Sequence, residues 1–166
     1  MCTFRKICLS ALPVRDIIGK TEWNGEMMQY DVMITVRGEQ EYESGERDHT
    51  DLTADGVLAD TPEGWTLCYD QTAENEQTHT VLAIGAQRVV LRRSGTLRSE
   101  MVFEVGKTHT TVYELPFGAL SMEVSTDSIR QKLSERGGLL EIRYRITVGG
   151  QMKSRNSFRM QIKRKM

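Results

Sequence analysis

The clearest order in this chain is an alternation of apolar and polar residues over positions 139–163. Leu140, Ile142, Tyr144, Ile146 and Val148 alternate with Glu141, Arg143, Arg145 and Thr147. After Gly149-Gly150-Gln151, the residues Met152, Ser154, Asn156, Phe158, Met160 and Ile162 alternate with Lys153, Arg155, Ser157, Arg159, Gln161 and Lys163. Period two over consecutive segments marks strands with one buried and one wet face, so a β-hairpin is predicted. A three-residue loop sets Val148 opposite Met152, Tyr144 opposite Asn156 and Ile142 opposite Phe158, with both apolar rows on one face. A one-residue slip would turn a whole row towards water.

Shorter segments of strand composition precede the hairpin at regular spacing: residues 30–36, 52–58, 65–71, 78–84, 89–93, 97–104, 107–115 and 117–126. Turn signals such as Pro62-Glu63-Gly64, Gly85-Ala86, Ser94-Gly95, Val105-Gly106 and Pro116-Phe117-Gly118 separate them. Sustained spacing of this kind predicts an all-β fold, a single antiparallel barrel of about eight to ten strands with little helix. Only residues 128–136 have helix-former composition, with Thr126 or Asp127 as N-cap and Gly137 as stop; the segment reads as helix or as extended chain. Residues 40–51 are polar and acidic, and read as a loop or as the frayed ends of two strands. Residues 1–28 carry no sustained period. They read as an N-terminal extension, flexible or arising from a start placed too early, ahead of a barrel domain over 29–166.

Charge adds an asymmetry. Residues 22–78 hold 15 acidic and 2 basic side chains, a net of −13, whereas residues 79–166 hold 7 acidic and 16 basic ones, a net of +9. Closing a sheet on itself brings the first and last strands together, and opposite charges pair well across strands. The alternative is a basic outer ribbon for phosphate or an acidic partner. No stretch approaches the roughly 18 apolar residues of a membrane helix. The run from Ile7 to Val14 is short, and Arg15-Asp16 end it without a small-residue cleavage site, unlike a signal peptide. Cys2, Cys8 and Cys68 are odd in number with two in one segment, which argues against a disulfide framework and for a reducing cytoplasm.

Candidate chemistry is sparse. His49, His79 and His109 sit in polar, Thr-rich contexts with no metal-ligand spacing, so no metal site is expected. No nucleophile elbow or phosphate-cradling glycine loop is present, and Cys68 lies between Leu67 and Tyr69 in a strand. The chain reads as a non-enzyme without a cofactor. Two surfaces of the hairpin remain. Arg143, Arg145, Lys153, Arg155, Arg159 and Lys163 share the wet face and offer a site for RNA or an acidic protein, although single-strand readers normally interleave aromatic platforms with such charge. On the inward face Tyr144, Ser154 and Asn156 interrupt an aliphatic row. Buried polar groups need partners, so Tyr144 and Asn156 either satisfy each other or face a cavity whose ligand, a small amphipathic molecule, supplies the hydrogen bond.

The string Arg93-Ser94-Gly95, Ser99-Glu100-Met101-Val102-Phe103-Glu104-x-Gly106-Lys107 and Tyr113-x-x-Pro116-Phe117-Gly118 leads into a second set of motifs. These are Gly137-Gly138-x-Leu140-x-Ile142-x-Tyr144 and Gly149-Gly150-Gln151. Together they resemble the YwiB-like family of uncharacterised bacterial proteins, a domain of unknown function with a calycin-like β-barrel, over about residues 30–163. The resemblance implies a lipocalin-like or fatty-acid-binding-like barrel in a bacterial cytoplasm, and no established activity. Most of the string is barrel construction, since the glycines supply turn conformations and Glu104 and Lys107 can pair across their turn. Arg93 and Tyr113 are demanded by no turn. They serve either to anchor a ligand at the barrel mouth or to plug one end as a hydrogen-bonded pair.

Overall fold

The computed structural model describes residues 28–62, 64–73, 76–95 and 98–165. The expected N-terminal extension lies, but for Met28, outside the described residues. The alternating segments form ten strands among the described residues: β1 Gln29–Tyr42, β2 Arg47–Thr61, β3 Gly64–Ala73, β4 Glu76–Ile84, β5 Arg88–Gly95, β6 Ser99–Glu104, β7 Thr108–Leu115, β8 Gly118–Ser134, β9 Gly137–Val148 and β10 Gln151–Arg164. Each strand pairs antiparallel with its neighbour in sequence except across β6–β7, and β1 pairs with β10. The sheet therefore curls on itself into a nearly closed barrel. Its seam lies between β6 and β7, where an isolated bridge joins Arg98 to Glu114 and the Glu114 amide donates to the Arg98 carbonyl at 3.3 Å. At the far end of the seam the Gly106 amide donates to the Thr126 carbonyl at 3.1 Å.

The hairpin keeps its expected pairs, Tyr144 with Asn156 and Ile142 with Phe158, but reaches them differently. The turn is two residues long, with Val148 opposite Gln151. Gly149 and Gly150 take φ of 60° and 80°, the two positive values that a type I′ turn needs and that glycine adopts without strain. A bulge between Met152 and Ser154 then absorbs the extra residue and restores the register. Met152 consequently turns outward and is exposed, and the inward row begins at Ser154.

A second bulge explains the ambiguity of residues 128–136, which are strand throughout. In β8 the inward positions run Met122, Val124, Thr126 before the irregularity at Asp127, and Ile129, Gln131, Leu133 after it. The parity change erases a simple period-two signal. Residues 40–51 are likewise mostly strand, with a tight turn between Tyr42 and Arg47. Strands β2 to β4 are apolar on both faces: Leu58, Leu67 and Leu82 point into the barrel, while Val57, Cys68 and Val81 are buried on the outer face. Cys68 is disulfide-bonded, contrary to the expectation drawn from the odd cysteine count, so cysteine usage no longer argues for a reducing compartment.

The core gathers at one end of the barrel. Val32, Ile34, Leu58, Leu67, Leu82, Val89, Leu140, Ile142 and Met160 are fully buried there, each apolar side chain contributing roughly 1.5–3 kcal/mol through its removal from water. Gly56 sets the curvature of β2 over this core. A Cβ at that position would lie 2.6 Å from the Cys68 carbonyl oxygen and 2.6 Å from Ile34 Cδ1, so only glycine lets the strands approach this closely. Among the described residues no helix is long and apolar enough to cross a membrane.

Candidate functional site

The opposite end of the barrel is polar inside, and strand register makes it so. Directly opposed residues of an antiparallel pair share a face. Tyr69 on β3 opposes Thr80 on β4, Thr80 opposes Arg93 on β5, and Arg93 opposes Ser99 on β6. These pairings draw one polar row across four adjacent strands. On the facing wall Thr126 opposes Tyr144, Tyr144 opposes Asn156, and Asn156 opposes Gln40 of β1. Between the two rows lies a cavity of about 450 Å³. Leu82, Leu91, Met101, Phe103 and Ile142 form its floor, and Glu39, Asp48 and Glu76 stand at its rim.

All four residues expected to touch a ligand, Arg93, Tyr113, Tyr144 and Asn156, line this one cavity. They do not satisfy one another. Asn156 is 6% exposed, its Nδ2 donates to Ser154 Oγ at 3.1 Å, and its Oδ1 has no partner. Tyr144 leans away from Asn156 onto Phe103, with ring centroids 4.8 Å apart and planes tilted by 59°. The Tyr113 hydroxyl donates to Met101 Sδ at 3.2 Å, so the Arg93–Tyr113 plug is not formed as a direct hydrogen bond. Arg93 lies instead beside the Tyr69 hydroxyl and makes no ion pair among the described residues. Ser99 Oγ, Thr111 Oγ1 and Thr126 Oγ1 are also buried without partners. Such atoms cost free energy when left alone, and of the four only Asn156 Oδ1 belongs to a residue that lines the cavity.

Three phenols feel this environment. Burial pushes the Tyr144 hydroxyl up to about 12; nearby Tyr113 pushes it the same way, and Arg93 opposes both. Tyr69 and Tyr113 are raised by burial and partly offset by the Arg93 guanidinium. One arginine therefore acts on all three rings, and each phenol stays protonated as a hydrogen-bond donor. Sequence pattern pointed to Tyr144 and Asn156 but missed Tyr69, Thr80 and Ser99. Tyr69 and Thr80 sit within strands that read as apolar runs, and only the β3–β6 register aligns them with Arg93.

The six cations of the basic ribbon are all exposed on the outer face of β9 and β10. Arg145 meets Asp127 at 3.1 Å and Arg143 meets Glu141 at 3.6 Å. Lys153 donates to Gln151 Oε1 at 3.4 Å. Arg155 opposes Glu41 across the β1–β10 pairing, whereas Arg159 opposes Arg37, so charge matching between the first and last strands is incomplete. Each histidine sits beside a carboxylate: His49 by Asp51, His79 by Asp70 and His109 by Glu104. Glu104 also meets Lys107 at 3.0 Å, and these two contacts, Lys107 first, hold its carboxyl below the ordinary range. No cluster of three or more metal-ligating side chains occurs among the described residues.

Comparison with known proteins places the chain. Residues 34–160 match the family model described as a domain of unknown function, DUF1934. An uncharacterised β-barrel protein of Bacillus subtilis (strain 168), YwiB, is 29% identical over 83 residues, which is 50% of this chain and 58% of that protein. The chain thus spans somewhat more than half the length of this relative in the match. The crystal structure of the ywiB protein from Bacillus subtilis superposes with a TM-score of 0.76 at 20% identity, covering 84% of this chain and 96% of that one. That likeness shows the β-barrel fold.

Proposed function

Since the chain belongs to the DUF1934 family, a domain whose function is unknown, we propose from its own geometry that it is a non-enzymatic binding protein. In this reading it holds a small amphipathic molecule in the open end of a calycin-like barrel. One observation carries the reading: the cavity between the two polar rows is bounded by a buried asparagine whose Oδ1 has no protein partner. A ligand with an apolar part against Met101, Phe103 and Ile142 and a polar head among Tyr69, Tyr113, Tyr144 and Asn156 would satisfy both surfaces. Pockets of this size and mixed lining are typical of small-molecule sites. The alternative, an RNA or acidic-protein site on the basic ribbon, has less behind it. Asp127 and Glu141 already engage two of its cations, and no aromatic residue of β9 or β10 shares their outward face.

Native mass spectrometry of the protein purified from its own cells tests the binding reading. The expected result is an additional small mass that is released on denaturation and is absent from Ile146→Trp, which fills the cavity. A bare chain mass, together with no uptake of an apolar fluorescent dye that Ile146→Trp would block, removes the reading.

A further inference from the structure

We propose that the head group held at the open end is an oxyanion, a carboxylate or a phosphate, and that Arg93 is its seat. This inference rests on the binding reading and goes beyond it, since an open barrel end would serve a neutral alcohol as well. Tyr69, Thr80, Arg93 and Ser99 supply one permanent cation and three hydroxyls, and no carboxylate stands in the β3–β6 row. Guanidinium and hydroxyl groups all donate hydrogen bonds, and a guanidinium has no acceptor at all. Thr80 and Ser99, the two residues flanking Arg93, are 1% and 7% exposed, and Ser99 Oγ is without a partner.

Arg93 itself is half-buried and makes no ion pair among the described residues, although Glu39, Asp48 and Glu76 line the same mouth. The other arginine of its own strand for which a carboxylate contact is seen behaves differently. Arg92 points to the outer face and meets Glu100 at 2.8 Å. The neighbouring outward position is thus neutralised and the inward one is not. A partly desolvated cation without a counter-charge is costly, and the Tyr69, Tyr113 and Tyr144 phenols that share its cavity are kept protonated by burial. Planar guanidinium matches carboxylate and phosphate oxygens in bidentate geometry. The Tyr69, Tyr113 and Tyr144 hydroxyls, which line the same cavity, would complete the donor shell of such an oxyanion, and Asn156 Oδ1 on the facing wall would accept a hydroxyl hydrogen from the same ligand.

Calorimetric titration of the full chain with decanoate, decyl phosphate and decanol separates the possibilities, because the three share one tail. The expected result is that at least one anion binds about tenfold or more tightly than decanol. Arg93→Gln should bring the anions to the level of decanol binding by the same variant. Arg93→Lys keeps the charge and should restore part of the preference, which distinguishes loss of the cation from damage to the barrel. The stronger of the two anions identifies the head group. Equal binding of all three by the wild type, or anion binding unmoved by Arg93→Gln, overturns the proposal while leaving the barrel reading intact. Failure of all three to bind counts against both.

Discussion

At one end of the barrel Leu58, Leu67, Leu82, Leu140 and Met160 are fully buried against one another. Two to four residues further along four of the same strands the inward positions hold Tyr69, Thr80, Tyr144 and Asn156, and β5 adds Arg93 beside Thr80. The strands, their pairing and their twist are shared, so the difference lies in side-chain chemistry alone. The apolar end closes because each side chain gains by leaving water. The polar end keeps its cavity because its contacts stay within each wall or go to apolar neighbours: Tyr69 pairs with Thr80 and Arg93, Asn156 reaches only Ser154, Tyr144 packs on Phe103 and Tyr113 donates to Met101. Under the proposed function stability belongs to one end and binding to the other, and substitutions at the two ends should then have opposite signatures.

The largest effect belongs to the packed end. Leu67→Ala should cost about 2–5 kcal/mol, the sum of lost transfer energy and an unfilled cavity. Urea unfolding should show a lowered midpoint with an unchanged slope. A loss below about 1 kcal/mol would mean that this end relaxes around a void as easily as the open end tolerates one, and the contrast would collapse.

The packed end was the more legible of the two in the sequence. Alternation at Leu140, Ile142, Phe158 and Met160 gave strands, faces and pairing correctly, because a single wrong step would have put apolar side chains in water. Local devices left weaker traces. The bulges near Lys153 and Asp127 each change strand parity, so Met152 read as inward and residues 128–136 kept the option of a helix. Gly56 looked like any glycine until the approach of Cys68 and Ile34 gave it a reason. The open end was legible only in part. Tyr144 and Asn156 stood out as polar interruptions, but Tyr69, Thr80, Arg93 and Ser99 come from four separate strands. Their row exists only through a register that no local pattern encodes.

An intermediate effect should appear in alkali and should come from the open end. Burial raises the Tyr144 hydroxyl to about 12, whereas in the unfolded chain a tyrosine ionises near 10. Between those values the unfolded chain releases a proton that the folded protein keeps. The unfolded state then binds fewer protons, and stability must fall as pH rises. The contribution is complete below about pH 10 and is lost through the window up to about 12, at most about 3 kcal/mol. Tyr144→Phe should flatten this limb in unfolding measured from pH 9 to 12. Tyr69 and Tyr113, raised in the same direction, should retain a shallower slope. An alkaline limb identical in the variant would mean that Tyr144 is wetter than its contact with Phe103 implies.

The smallest effect on stability is also the sharpest test of the contrast. In a packed protein, replacing a buried asparagine normally breaks hydrogen bonds and costs about 1–3 kcal/mol. Asn156 is as buried as a core residue, yet its carbonyl oxygen satisfies nothing and its amide reaches only Ser154. Asn156→Leu removes an unsatisfied acceptor and adds apolar surface beside Ile142, so stability should change by less than about 1 kcal/mol, in either direction. Loss of the co-purifying small mass from the same variant would then separate binding from folding at a single residue. A destabilisation of about 3 kcal/mol instead would make Asn156 a structural strut, and the open end a second core built from polar parts.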